Sequence, residues 1–179
     1  MRQLAASVIV GLLSLWAVQA GAQERPVVVE LFTSQGCSSC PPADAYFQDL
    51  AARKDVVALS LHVDYWDYIG WEDSFGSPDN SARQRGYAKA AERKMVYTPQ
   101  MIINGADHVV GTRFEDVEAL IAKHREPGQN GIAVEVTRDE ERVQIAARAE
   151  PARSMPLSVQ LVRYIPEETV AIEHGENAG

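Results

Sequence analysis

Apart from Cys37 and Cys40 the 179-residue chain has no cysteine. A single pair leaves two uses for the sulfurs, a structural staple or an active dithiol. No cysteine lies near residue 22, which argues against an acylated lipoprotein. Positive charge is also scarce. Seventeen Lys and Arg face 25 Asp and Glu, for a formal charge of −8, which disfavours nucleic acid or an anionic membrane as the main partner. No internal repeat or low-complexity tract is visible, so a repeat architecture is not expected.

What is present begins with a leader. Met1-Arg2 is a short basic start, residues 4–18 are mostly apolar, and Ala20-Gly21-Ala22 supplies small residues for a signal peptidase. Residues 1–22 are read as a cleaved signal peptide. An uncleaved anchor is the competing reading, opposed by Ser7, Ser14 and Gln19 within the apolar stretch. The mature protein is therefore expected to be periplasmic or secreted, with no membrane association after cleavage.

Residues 26–33 read as a buried strand, because Val27, Val28, Val29, Leu31 and Phe32 are β-formers and the run breaks at Ser34-Gln35-Gly36. Cys37-Ser38-Ser39-Cys40 follows. Next come Ala43, Phe47, Leu50 and Ala51 at helical spacing over residues 43–54, then an alternating apolar strand over 55–63. Together these form a βαβ unit with parallel strands. Residues 64–78 read as a long ordered loop rich in aromatics, Gly and Asp. Ser77 as N-cap and Pro78 at the first helical position start a second helix expected to run to about Met95. After Pro99, a strand at residues 101–103, an Asn104-Gly105 turn and a short strand at 108–110 predict a hairpin. Thr112 to Glu115 fits a capping box, followed by an apolar stripe of Phe114, Val117, Leu120 and Ile121 that should stop by Glu126.

Beyond Gly131 the apolar period changes to two, at Ile132, Val134 and Val136; Val143, Ile145 and Ala147; Leu157, Val159 and Leu161; Val170 and Ile172. About four strands are expected here, too few for a free-standing sandwich. Either they pack on the first domain or the native chain continues past Gly179. The division is then 1–22 signal peptide, 23–127 first domain, and 128–179 a β-rich C-terminal segment.

The order strand, Cys-x-x-Cys, helix, strand, helix, proline-led hairpin, helix resembles the thioredoxin-like fold over residues 26–126. Within it the chain is similar to a family of secreted bacterial thioredoxin-like proteins of unassigned function. The motifs that carry this are a Cys-x-x-Cys followed by proline at 37–42, His-Val-Asp-Tyr-Trp at 62–66 and Tyr-Thr-Pro-Gln at 97–100. The expected fold class is thus α/β, thioredoxin-like (βαβ-α-ββα), followed by a small all-β C-terminal segment.

The resemblance implies that Cys37 attacks and Cys40 resolves. It makes Pro99 a cis-proline facing the dithiol, with the Thr98 backbone as an edge for an extended peptide. The chemistry needs an accessible, partly ionised sulfur at position 37. Pro41-Pro42 departs from the usual pattern: a helix beginning only near Pro41 leaves Cys37 further from the dipole and argues against a strongly lowered thiol pKa. Glu30 sits seven positions before Cys37 in an apolar strand, one further than the acid of thioredoxins. Buried, it is a candidate base for Cys40; otherwise it is a half-exposed acid at a strand end.

The remaining features have competing readings. The aromatic segment at residues 62–71 either walls a groove or plugs the core, and His62 either binds a metal or shuttles protons with Asp64 or is a hydrogen-bonded structural residue. Arg83, Arg85, Lys89, Arg93 and Lys94 read as a solvated helix face. The function expected is thiol–disulfide exchange with protein or small-molecule thiols and disulfides, needing no cofactor. Two other readings stand beside it: a Cu(I)-binding module with a third ligand from His62 or His108, and a non-catalytic domain whose disulfide only stabilises it.

Overall fold

The structure, a computed structural model, describes residues 26–125, 132–149 and 158–179. The expected signal peptide and the boundary at residues 127–128 lie outside these. Four strands form one mixed sheet: β1 (Val27–Thr33), β2 (Val56–His62), β3 (Gln100–Ile103) and β4 (Asp107–Val110), in the order β2-β1-β3-β4. β1 runs parallel to β2, with Val27 opposite Val56 and Thr33 opposite His62, and antiparallel to β3. A strand flanked on both edges and covered on both faces is expected to be apolar throughout. That is why the Val-Val-Val run of β1 shows no alternation.

The two faces of β1 are nevertheless different. Val27, Val29 and Leu31 pack with Ala43, Phe47 and Leu50 of α1 (Pro41–Ala51) and with Val117 and Ile121 of α3 (Phe114–Arg125). Phe32 turns the other way, with Ile102, Val63 and the half-buried Tyr65, Trp66 and Tyr87. Tyr87 belongs to α2 (Pro78–Ala90), which covers this second face.

α2 is held by polar contacts. Its buried residues are Ser81, Gln84 and Ala88. Gln84 donates to Tyr97 O and to Gln100 Oε1, each at 2.8 Å, and accepts from Tyr65 OH at 3.0 Å. Among the described residues no buried side-chain N or O lacks a partner, so this network carries little desolvation penalty. α2 stops at Ala90, five residues before the expected Met95. Glu92 turns left-handed (φ 54°), and Arg93 N–H donates to Ala88 O at 2.8 Å. This is a Schellman closure without the usual glycine, so the stop has no glycine to announce it.

At the next helix the expected capping box does not form. Arg113 O accepts the first helical bond, from Val117 N–H at 3.0 Å, so the cap falls one residue after Thr112, and no hydrogen bond joins Thr112 to Glu115 among the described residues. The Arg113 side chain instead pairs with Asp116 at 2.6 Å. Asn104 and Gly105 do make the β3–β4 turn, with φ of 48° and 69°, the left-handed pair such hairpins require.

The C-terminal expectation of about four strands is corrected. β5 (Ile132–Arg138) and β6 (Val143–Ala149) form a separate antiparallel hairpin, but residues 158–179 contain no strand. Period-two patterning makes a strand only where an edge offers hydrogen bonds. Leu161 is 78% exposed and has no such edge. Among the described residues no helix is long and apolar enough to cross a membrane.

Candidate functional site

The Cys-x-x-Cys segment is a tight turn leading into α1. Cys37 N–H donates to Ser34 O at 3.0 Å and Cys40 N–H to Cys37 O at 3.1 Å, and the two cysteines form a disulfide with Cα atoms 5.4 Å apart. Cys40 is the N-cap of α1, with helical φ and ψ and no side-chain cap. Pro41 and Pro42 occupy the first two helical positions, as expected. Neither has an N–H, so this helix start lacks two of the donors with which a helix normally solvates an anion.

The turn is pinned from behind by residues 62–75. Asp73 Oδ2 accepts from Gln35 N–H at 2.8 Å and lies 2.7 Å from His62 Nδ1. Gln35 Oε1 accepts from the Trp71 indole at 2.6 Å. Burial raises the Asp73 carboxyl, but the hydrogen bonds from His62 and Gln35 outweigh it, and the net direction is down. Asp44, on the first turn of α1, accepts from Thr33 Oγ1 at 2.7 Å, and burial holds its pKa above the ordinary value. A contact from far along the chain completes the clamp: Asn177 Nδ2 donates to Gln35 O at 2.7 Å and Cys37 O at 2.9 Å.

On the open side stands the peptide before β3. The Thr98-Pro99 bond is cis. Thr98 Oγ1 donates to Cys37 Sγ at 3.1 Å and accepts from Trp66 Nε1 at 2.7 Å. Ser39 Oγ lies 3.5 Å from the same sulfur and 3.5 Å from Thr98 O. Gly111 makes this approach possible. A Cβ there would sit 3.1 Å from both Ala43 Cβ and Pro99 Cβ, so a bare backbone lets the prolyl strand close on α1.

The structure thus brings Cys37, Cys40, Thr98 and Pro99 together and leaves Glu30 apart. Glu30 faces α2, on the sheet face opposite α1. Its carboxylate pairs with Arg83 Nη2 at 2.6 Å and accepts from Tyr87 OH, and among the described residues no hydrogen bond links it to either cysteine. The register explains this: Glu30 shares the parity of Phe32, while Val29 and Leu31 point to α1. Arg83 is for the same reason an ion-pair partner of a buried acid, unlike the solvated face expected for that helix.

The accessible sulfur expected at position 37 is corrected as well. Cys37 is 3% exposed and Cys40 fully buried, while Ser38 and Ser39 between them are exposed. The sequence does not single out Trp66, Asp73 or Asn177 as site residues. Trp66 and Asp73 fall in or beside a segment read as a groove wall or core plug; Asn177 carries no sequence signal. Neither histidine named for a metal site joins the sulfurs. His62 is engaged by Asp73, and His108 Nδ1 lies 3.3 Å from Gln100 Nε2. Among the described residues no group of three or more His, Cys, Asp or Glu could hold an ion.

Fold and site together define a mixed α/β domain whose Cys-x-x-Cys disulfide sits between a helix start and a cis-prolyl strand. The chain belongs to the family described as protein of unknown function DUF1223, whose profile matches residues 28–179. It is similar to a crystal structure of a protein from Agrobacterium tumefaciens, solved as a structural-genomics target. The two are 48% identical with a TM-score of 0.61, over 69% of this chain and 57% of that one. No curated protein matches.

Proposed function

We propose that this protein is a secreted, thioredoxin-like thiol–disulfide oxidoreductase that works through Cys37 and Cys40. The observation that carries this reading is the asymmetry of the pair. Cys37 Sγ receives the Thr98 hydroxyl, whereas Cys40 is fully buried. A donor aimed at one sulfur favours the thiolate there, and the thiolate is the nucleophile.

In the reducing direction the Cys37 thiolate attacks one sulfur of a substrate disulfide and forms a mixed disulfide, and the other substrate sulfur leaves as thiolate. Cys40, deprotonated, then attacks Cys37 Sγ. The mixed disulfide breaks, the second substrate thiolate departs, and the Cys37–Cys40 bond forms. The substrate gains two electrons and the dithiol loses two; the oxidising direction is the reverse. Among the described residues the Thr98 main chain makes no backbone hydrogen bond, and its carbonyl meets Ser39 Oγ alone, so an extended peptide has an edge to pair with. Because Cys37 is 3% exposed, with the Thr98 and Ser39 hydroxyls 3.1 and 3.5 Å from its sulfur, attack requires the cover over that sulfur to open.

The test is a trap. Cys40→Ser should accumulate disulfide-linked partners on Cys37, and Cys37→Ser should not. Equal adducts from both variants, or none from either, overturn the assignment. Burial of both sulfurs favours a second reading, a purely structural disulfide. A lowered unfolding midpoint after dithiothreitol reduction, with no turnover of a model disulfide, would select it.

A further inference from the structure

Trp66 lies in the aromatic segment at residues 62–71, and among the described residues its indole N–H makes one hydrogen bond, to Thr98 Oγ1 at 2.7 Å. An indole N–H only donates, and a threonine hydroxyl has one proton and two acceptor sites. A hydroxyl that accepts from Trp66 keeps its proton free; Cys37 Sγ lies 3.1 Å away to take it, and the Tyr65 phenol, whose own proton goes to Gln84, also interacts with the Thr98 side chain. We propose that Trp66 is a positioning residue which, by holding Thr98 Oγ1 as an acceptor, commits the Thr98 hydroxyl proton to Cys37 Sγ and stabilises the thiolate formed there. This rests on the exchange reading above and names the residue that tunes its nucleophile.

Two features make the relay matter in this chain. With prolines at both first helical positions, α1 is short of N–H donors for the sulfur, so a side-chain donor has to stand in. Trp66 is also well placed to hold its angle. Its backbone carbonyl accepts from Ile69 N–H at 3.1 Å, its Cβ packs on Gly36 where an added methyl would lie 3.3 Å away, and Tyr68 stacks on its ring at 6.5 Å. The other ionisable groups placed around the turn are Asp44 on α1, the His62/Asp73 pair behind it, and Tyr65 beside Trp66 with Arg85 on α2. Among the described residues none of these hydrogen-bonds either sulfur. The sulfur's hydrogen-bond partners there are the Thr98 and Ser39 hydroxyls.

The experiment measures one thiol. In the Cys40→Ser background, the pH dependence of iodoacetamide alkylation reports the Cys37 pKa. Trp66→Phe and Thr98→Val should each raise it by about one unit, as expected for loss of a hydrogen bond to a charged group. Thr98→Ser, which keeps the hydroxyl, should restore most of the shift. Trp66→Phe combined with Thr98→Val should raise it no further than Thr98→Val alone. A Trp66→Phe protein with unchanged pKa, or one that adds its full shift in the Thr98→Val background, overturns the relay. A second measurement needs no change at Trp66: in the same Cys40→Ser protein its indole N–H resonance should titrate with Cys37 and stop doing so in Thr98→Val. A flat resonance also overturns it. Trapping by Cys40→Ser with a silent Trp66→Phe removes the relay alone. Failed trapping with the pKa rise intact removes the exchange reading alone.

Discussion

Replacing Arg83 by alanine leaves the Glu30 carboxylate buried beneath α2 with Tyr87 OH as its remaining donor. Glu30 is 2% exposed, and Arg83 approaches it through two nitrogens, Nη2 at 2.6 Å and Nε at 2.8 Å. Removing one member of a buried pair costs about 3–5 kcal/mol where nothing replaces it. Here the Arg83 side chain is 37% exposed, so water enters the vacated space. With the Tyr87 bond kept, the expected loss is about 2 kcal/mol. In urea unfolding at neutral pH that lowers the midpoint by about 1 M. Glu30→Gln preserves the shape, removes the charge and should cost less, about 1 kcal/mol. The double variant should show a coupling of about 1–2 kcal/mol. The same residue separates two views of the chemistry. A base serving Cys40 would cost about 10²–10⁴-fold in resolution when removed. With Glu30 turned to α2, Glu30→Gln should leave the resolution rate within about threefold. A midpoint shift for Arg83→Ala too small to measure refutes the energetic argument. A hundredfold slowing in Glu30→Gln refutes the geometric one.

Other outcomes follow from the packing and the charges. Gly111→Ala should destabilise by about 1–3 kcal/mol, the usual cost of an extra methyl in a filled space, because it forces Ala43 and Pro99 apart. It should also change Cys37 alkylation, and unchanged stability and reactivity would show that this approach is not tight. Leu31→Ala, at a fully buried position between α1 and α3, should cost about 2–5 kcal/mol by thermal melt; under 1 kcal/mol would mean the core collapses around the gap. The hydrogen bond from Arg53 lowers Asp55 to about 2, and Asp73 also lies below its ordinary value. Depressed carboxylates contribute stability that is complete above the unfolded pKa near 4 and is lost as pH falls through the folded one. Urea midpoints should therefore fall between about pH 4 and pH 2, and the fall should be shallower in Asp55→Asn. An identical slope in that variant would refute the linkage.

The local signals that proved readable were strong ones. The Val-Val-Val run of β1, the helical spacing of Ala43, Phe47 and Leu50, and Asn104-Gly105 all formed the elements expected of them. Each rests on a preference within a few residues of chain. α2 was legible at its start, where Ser77 Oγ accepts from Asp79 N–H at 3.2 Å. Its end and its mode of burial were not, because polar residues such as Gln84 make a core position only when partners meet them in space. The C-terminal alternation misled for a related reason: alternation specifies a face, and the neighbouring edge must come from elsewhere.

Read as a chain alone, the protein already carried its dithiol, the βαβ order around it and the proline that leads β3, because each depends on residue type and short-range spacing. The tertiary structure decided which face Glu30 takes, how far Cys37 is covered, and that Trp66, Asp73 and Asn177 converge on one turn. Those outcomes depend on strand register, on a glycine-sized gap between α1 and Pro99, and on a contact 140 residues away in sequence. None of these is a property of any single segment.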